Sequence, residues 1–220
     1  MTRIDFMALL LFSLFCGTIN ADKLPNDIRW VTQSKECASL CKQTYKLAES
    51  VVVPKLRQAK GNLAIVMDLD ETVLDNSKYQ VERSELNLGF TQESWSAWVK
   101  RKEAELIPGA KEFISKVRPF PVRIIFISNR MNDNLKPTQE NLLDLGVLSP
   151  NDLFLLRKNK SDTKEKRRAE VLEGTGRMSK VGPLKVIAYF GDAMGDFPKQ
   201  VEKDFGETNF ILPNPMYGKW

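Results

Sequence analysis

The strongest constraint on the fold is residues 62–67, Asn-Leu-Ala-Ile-Val-Met. The run is apolar from Leu63 onward and shows no polar alternation. A strand built from it has no face to give to water, so both faces must be covered. Sheets of that kind are parallel and carry helices on each side. The pattern recurs at Val122–Ile127 and Val186–Phe190, with shorter candidates at Leu153–Leu156 and Phe210–Leu212. Helical patterns fill the intervals. In residues 36–53, Cys37, Cys41, Tyr45, Ala48 and Val52 fall at spacings of 4, 4, 3 and 4, one face of an amphipathic helix that Pro54 ends or kinks. Residues 91–105 place Trp95, Trp98 and Val99 on one side. Pro108-Gly109 opens a helix with Ala110, Phe113, Ile114 and Val117 inward, and Gly146 stops a Leu-rich helix over 138–145. Asp22 to Ser34 reads as an extended lead-in. Strands alternating with helices predict a three-layer α/β/α arrangement around a mainly parallel sheet.

The N-terminus reads as an address. Arg3 precedes an apolar run from Phe6 to Cys16 that only Ser13 interrupts. The run is shorter than the roughly 20 residues a membrane-spanning helix needs. A basic start, a short apolar core and the small Ala21 predict a signal peptide over residues 1–21 and an exported product. Lipidation of Cys16 after cleavage is the alternative, and it would anchor the protein to a membrane. Cys37 and Cys41 read as buried small apolar groups. A disulfide between them stays open, although four residues along one helix is an awkward separation for one.

The 220 residues hold 33 Lys plus Arg, 28 Asp plus Glu and no histidine. That excludes every mechanism built on an imidazole base, nucleophile or metal ligand. Three cysteines are too few for a four-thiolate zinc site, so any metal is held by oxygen, which favours Mg²⁺ or a similar hard cation. In parallel α/β sheets, functional groups collect beyond the carboxyl ends of the strands. The first strand runs into Asp68-Leu69-Asp70-Glu71-Thr72, where alternation puts Asp68 and Asp70 on one side of the chain. Another ends in Ser128-Asn129-Arg130, and a later one in Gly191-Asp192-Ala193-Met194-Gly195-Asp196. Carboxylates gathered at one point repel unless a cation sits among them. One carboxylate can serve as nucleophile and another as acid–base, while a hydroxyl and an ammonium hold phosphate oxygens. These parts describe metal-assisted phosphoryl transfer.

At these residues the chain resembles a known family. Asp68-Leu69-Asp70-Glu71-Thr72-Val73-Leu74-Asp75-Asn76 is similar to the first motif of the haloacid dehalogenase superfamily. More narrowly, it resembles the class C acid phosphatases, which include bacterial outer-membrane lipoprotein acid phosphatases and 5′-nucleotidases. The likeness extends over about 62–220, through Trp95-Ser96-Ala97-Trp98-Val99, Ile107-Pro108-Gly109-Ala110, Ser128-Asn129-Arg130, Leu212-Pro213-Asn214 and Tyr217-Gly218. The resemblance implies a Rossmann-like single domain over 22–220, with cap elements from about 22–60 and 76–106. It implies that Asp68 attacks phosphorus and that Asp70 protonates the leaving oxygen, then activates water. Mg²⁺ would be bound by Asp68, the backbone carbonyl of Asp70 and Asp192, with Asp196 just behind. Ser128 and Asn129 would bind phosphate. The family lysine is Lys164 rather than Lys160, because Lys164 keeps a three-residue step to Arg167.

The substrate expected is a small phosphomonoester, and the product an exported acid phosphatase, periplasmic or secreted, or an outer-membrane lipoprotein. Tyr79 and Tyr217 are expected to line the entrance as aromatic faces, favouring nucleoside monophosphates and aryl phosphates. A non-catalytic relative that binds phosphorylated ligands is one alternative. A phosphatase of nucleic-acid ends is another, with the basic stretch from Arg157 to Arg168 tracking a strand. Asp162 and Glu165 interrupt that stretch, so no nucleic-acid partner is expected, and Lys158, Lys166 and Arg168 read as a solvated basic face.

Overall fold

The computed structural model describes residues 24–199 and 202–218. The signal segment and Cys16 lie outside the described residues. From the N-terminal side come α1 (Asn26–Gln33), α2 (Lys35–Gln58) and β1 (Leu63–Met67). Next are β2 (Leu74–Asp75), α3 (Ser77–Glu85), α4 (Gln92–Arg101), β3 (Glu105–Leu106) and α5 (Ala110–Val117). The remainder is β4 (Val122–Phe126), α6 (Leu135–Asp144), β5 (Leu153–Phe154), α7 (Lys164–Glu173), β6 (Lys185–Gly191) and β7 (Asn209–Ile211).

The main sheet is ordered β5-β4-β1-β6-β7, and every pairing in it is parallel. β1 is the centre, and the strand order reverses there, since β4 and β5 lie to one side and β6 and β7 to the other. All five residues of β1 are buried. Leu63, Ile65 and Met67 join a core with Tyr45 and Val52 of α2, Phe113 and Ile114 of α5, and Leu142 of α6. Ala64 and Val66 face the other way, toward Val171 of α7, Met178 and Leu184. The uninterrupted apolar run therefore does what its pattern demands, and three layers result. β2 and β3 form a separate two-stranded antiparallel ribbon.

Two local expectations are overturned, and a third is narrowed. The lead-in is helical, not extended: Leu24 and Ile28 are buried and Val31 packs on the core, so α1 gains a tertiary face. Of the two outcomes expected at Pro54, an end or a kink, the structure excludes the end: α2 runs on to Gln58. Pro54 is exposed, so the carbonyl it leaves unbonded is on the water side, while Leu56 in the next turn is buried. α4 stops at Arg101 because Lys102 takes a left-handed conformation with φ 59°, and Glu105 and Leu106 pair with β2. α2 lies in the layer against α5 and the β6–β7 edge. Cys37 and Cys41 are free and buried.

Candidate active site

The site forms at the carboxyl end of β1, where the strand order reverses. The Asp68 amide still donates to the Phe190 carbonyl at 2.9 Å, so the first acidic residue is held by the sheet ladder itself. The chain then folds back tightly. The Leu69 carbonyl accepts from the amides of Val73 and Leu74 at 2.9 and 2.8 Å, and Glu71 adopts φ 57° to permit the turn. Tyr45 on α2 donates its hydroxyl to the Thr72 carbonyl at 2.6 Å and pins the loop from behind.

Asp68, Asp192 and Asp196 present carboxylate oxygens within 4.8 Å of one another. Lys164, first residue of α7, places its ammonium 2.7 Å from Asp68 Oδ1 and against Asp196 Oδ1 as well. The Thr163 hydroxyl caps that helix by accepting from the Lys166 amide, which fixes the start of α7 and so the lysine. Asp196 Oδ2 accepts from the Ala193 amide at 3.0 Å, and Asn214 donates to Asp192 Oδ2 at 2.7 Å. Asp196 comes this close because Gly191 has no side chain: a Cβ there would lie 2.3 Å from the Asp196 Cβ.

The electrostatics are unbalanced. Burial and the neighbouring Asp196 push Asp192 up to about 6. Burial raises Asp68 well above the ordinary carboxylate range, with Asp196, Asp192 and Asp70 adding to the effect and Lys164 opposing it. Burial works against the charge on Lys164, but Asp68 and Asp196 outweigh it and raise its proton affinity. One ammonium facing three carboxylates leaves excess negative charge, and Asp68 Oδ1 has Lys164 as ion-pair partner but no hydrogen bond of good geometry. An all-oxygen, electron-rich cluster with an under-satisfied buried oxygen fits a hard divalent cation.

Asp70 faces a different set of partners. Its Oδ1 accepts from Arg130 Nε at 2.9 Å and Asn76 Nδ2 at 3.1 Å, and Arg130 Nη2 lies 2.8 Å away. Its Oδ2 accepts from the Ser128 hydroxyl at 3.1 Å. Sequence reasoning left Arg130 and Asn76 without a role. Asn129 is exposed, and its side-chain carbonyl accepts from Arg167 Nη2 at 2.7 Å. Arg167 is fully buried and also donates to the carbonyls of Ser128 and Leu155, which ties the loop after β4 to α7. Burial lowers its proton affinity to about 10, still ionised at neutral pH.

The structure brings together Asp68, Asp70, Ser128, Lys164, Asp192 and Asp196. Lys160 is exposed in the preceding loop, whereas Lys164 lies in the cluster against Asp68. Tyr79 is not at an entrance. It is 2% exposed, packs edge-on to Trp95 with ring centroids 5.0 Å apart, and shares a hydrogen bond with Ser94. Tyr217 is 37% exposed and follows Asn214, the partner of Asp192, by three residues. Arg168 is not a solvated cation: it is buried and donates to the Gly195 carbonyl at 2.8 Å. Arg177 neutralises Asp162 within the same basic loop.

Comparison with known proteins agrees with this geometry. The class C acid phosphatase from Bacillus anthracis, solved alone and with tungstate bound, superposes with a TM-score of 0.74 at 29% identity, covering 91% of this chain and, with tungstate, 87% of that one. The stem 31 kDa glycoprotein of Glycine max is 26% identical over 167 residues, 73% of this chain and 61% of its own length. Acid phosphatase 1 of Solanum lycopersicum is 23% identical over 207 residues, 86% of this chain and 76% of its own. A family model matches residues 18–220, nearly the whole sequence, and the chain therefore belongs to the HAD superfamily, subfamily IIIB, the acid phosphatases, whose members are phosphomonoester hydrolases.

Proposed function

We propose that the chain is an exported, Mg²⁺-dependent acid phosphatase acting on small phosphomonoesters, nucleoside monophosphates and aryl phosphates among them, through an aspartyl phosphate. The observation that carries this reading is Asp68 at the end of the central strand, with Lys164 at 2.7 Å and Asp192 and Asp196 in the same cluster. An Asp68 oxygen attacks phosphorus, and the bond to the ester oxygen breaks. That oxygen keeps the electron pair and takes a proton from Asp70. Asp70, now a carboxylate, removes a proton from water, which attacks the same phosphorus and frees Asp68 and inorganic phosphate. Lys164 and Ser128 hold phosphate oxygens during both displacements. Asp68, Asp192 and the backbone carbonyl of Asp70 would hold Mg²⁺, with Asp196 behind them, and the ion would supply positive charge against the phosphate and keep Asp68 ionised.

A nucleophile must be ionised, whereas burial and three neighbouring acids push Asp68 the other way. Lys164 answers that with one charge against three carboxylates, which supports a cation in the cluster. The tungstate in the solved relative is a tetrahedral oxyanion and supports a phosphate-sized site. Export rests on the Arg3 and Phe6–Cys16 pattern, and mass spectrometry of the native N-terminus reads it directly: a start at Asp22 means cleavage, a lipidated Cys16 means an anchor.

The test is phosphate release from a panel of monoesters by wild type and Asp68→Asn, each with and without Mg²⁺ after chelation. The expected result is activity only in the Mg²⁺-loaded wild type. Sustained turnover by Asp68→Asn would overturn the mechanism, and chelator-resistant turnover the metal dependence.

A further inference from the structure

We propose that Arg130 and Asn76 are positioning residues that hold the Asp70 carboxylate by Oδ1 and turn Oδ2 toward Ser128. The inference rests on the acid–base role given to Asp70 above. Oδ1 meets only donors: Arg130 Nε at 2.9 Å, Arg130 Nη2 at 2.8 Å and Asn76 Nδ2 at 3.1 Å. A hydrogen placed on Oδ1 would point at another hydrogen. Oδ2 meets the Ser128 hydroxyl at 3.1 Å, a group that rotates to donate or accept. Oδ2 is therefore the oxygen left for the leaving group, beside the serine assigned to the phosphate.

The clamp is itself fixed at every corner. Arg130 is 1% exposed, donates through Nη1 to Thr138 Oγ1 at 3.1 Å and through Nη2 to Asn76 Oδ1 at 3.2 Å. Asn76 is fully buried, and its Oδ1 also accepts from Trp98 Nε1 at 2.8 Å. Two donors on that atom settle the amide orientation and force Nδ2 toward Asp70. Trp98 belongs to α4, so a helix outside the main sheet holds the acid's rotamer through Asn76. The Arg130 amide donates to Ser128 Oγ at 3.1 Å, which ties the hydroxyl to the same unit. Sequence spacing gives no hint of this, because 54 residues separate Asn76 from Arg130.

The role has a signature that mere structural support lacks. When the ester bond breaks, an alkoxide needs the Asp70 proton, whereas a dinitrophenolate leaves without it. Loss of the clamp must therefore hurt poor leaving groups selectively. The experiment is single-turnover release of the alcohol or phenol, which isolates phosphoryl transfer to Asp68 from the later hydrolysis. It compares glycerol phosphate with 2,4-dinitrophenyl phosphate in Mg²⁺-loaded wild type, Asp70→Asn, Arg130→Met, Arg130→Lys and Trp98→Phe.

General-acid catalysis is worth about 10²–10⁴-fold. Arg130→Met is expected to lose on the order of 10²-fold on glycerol phosphate and less than about fivefold on the dinitrophenyl ester. Inhibition by inorganic phosphate should be unchanged. Arg130→Lys keeps the charge but not the fork and should show the same selectivity. Should Arg130→Met fail to fold, Trp98→Phe decides: it removes one donor to Asn76 and should lose severalfold on glycerol phosphate alone. Equal losses on both esters in the clamp variants, or full rescue by lysine, would overturn the proposal while Asp70→Asn remains selective. An unselective Asp70→Asn would instead overturn the acid role on which it rests.

Discussion

Gly191→Ala is the sharpest single test of the carboxylate cluster. The added Cβ would lie 2.3 Å from Asp196 Cβ, 2.6 Å from its Cγ and 2.4 Å from its Oδ2. Carbon atoms settle about 3.5–4.0 Å apart, so the two groups must separate by more than about 1 Å. Asp196 cannot retreat by rotating, because its own Cβ is in the clash. Moving it breaks the 3.0 Å hydrogen bond from the Ala193 amide and the contact with Lys164. Overpacking costs about 1–3 kcal/mol, and each hydrogen bond to a charged group about 1.5–3 kcal/mol. Losing both contacts on top of the overpacking sums to about 4–9 kcal/mol of stability. Misplacing a site group by about 1 Å costs on the order of 10²-fold in rate. The assay is kcat/KM for phosphate release beside a thermal melt, with Gly195→Ala as control. A Cβ on Gly195 meets nothing within 4 Å, and that variant should behave as wild type. A Gly191→Ala enzyme within twofold of wild type and melting like Gly195→Ala would refute the steric argument.

Lys164→Met should be severe, because unpairing buried carboxylates costs about 3–5 kcal/mol, whereas Lys160→Met should leave phosphate release unchanged; equal effects would return the assignment to the loop. The pH dependence follows from Asp192, whose folded proton affinity near 6 exceeds the unfolded value of about 4. Its contribution favours the metal-free fold below about pH 4 and is lost as pH rises through 6. Mg²⁺ competes with that proton, so its increment in Tm should be large at pH 7 and absent at pH 4.5; equal increments would contradict the cluster as its site. Tyr217→Ala should lower kcat/KM more for a nucleoside monophosphate than for a small alkyl phosphate, since stacking a base is worth about 1–3 kcal/mol; equal losses would leave that ring without a role in substrate choice.

How much of this was legible depends on the kind of signal. Asp68, Asp70, Asp192 and Asp196 announce themselves because each follows an apolar run that can only be a buried strand, and strand ends converge. Lys164 needed the motif as well, since nothing in a lysine-rich stretch marks one member as buried. Arg130 and Asn76 carried no local sign: an arginine in a turn defaults to solvent, and its partners come from segments 54 and 60 residues away. Tyr79 misled because closeness along the chain to Asp75 says nothing about which way α3 turns its ring, and Trp95 and Trp98 supply the apolar face that draws it inward. α1 was missed although Leu24, Ile28 and Val31 have helical spacing, because three residues are too short a period to outweigh a polar surround. The early end of α4 is likewise tertiary, as pairing with β2 overrides local preference.

The central position of β1 also bears on the order of events in refolding. Its two neighbours come from well separated parts of the chain, and Asp196 comes 128 positions after Asp68. Contacts of such length close late, after local hairpins and helix pairs have formed. Trp95 and Trp98 pack against Tyr79, a neighbour only 16 to 19 residues away. Tryptophan fluorescence is therefore expected to recover ahead of turnover. An ensemble with buried indoles but β6 not yet docked has its nucleophile and no Asp192 or Asp196, which makes the return of phosphatase activity a clock for the last strand added.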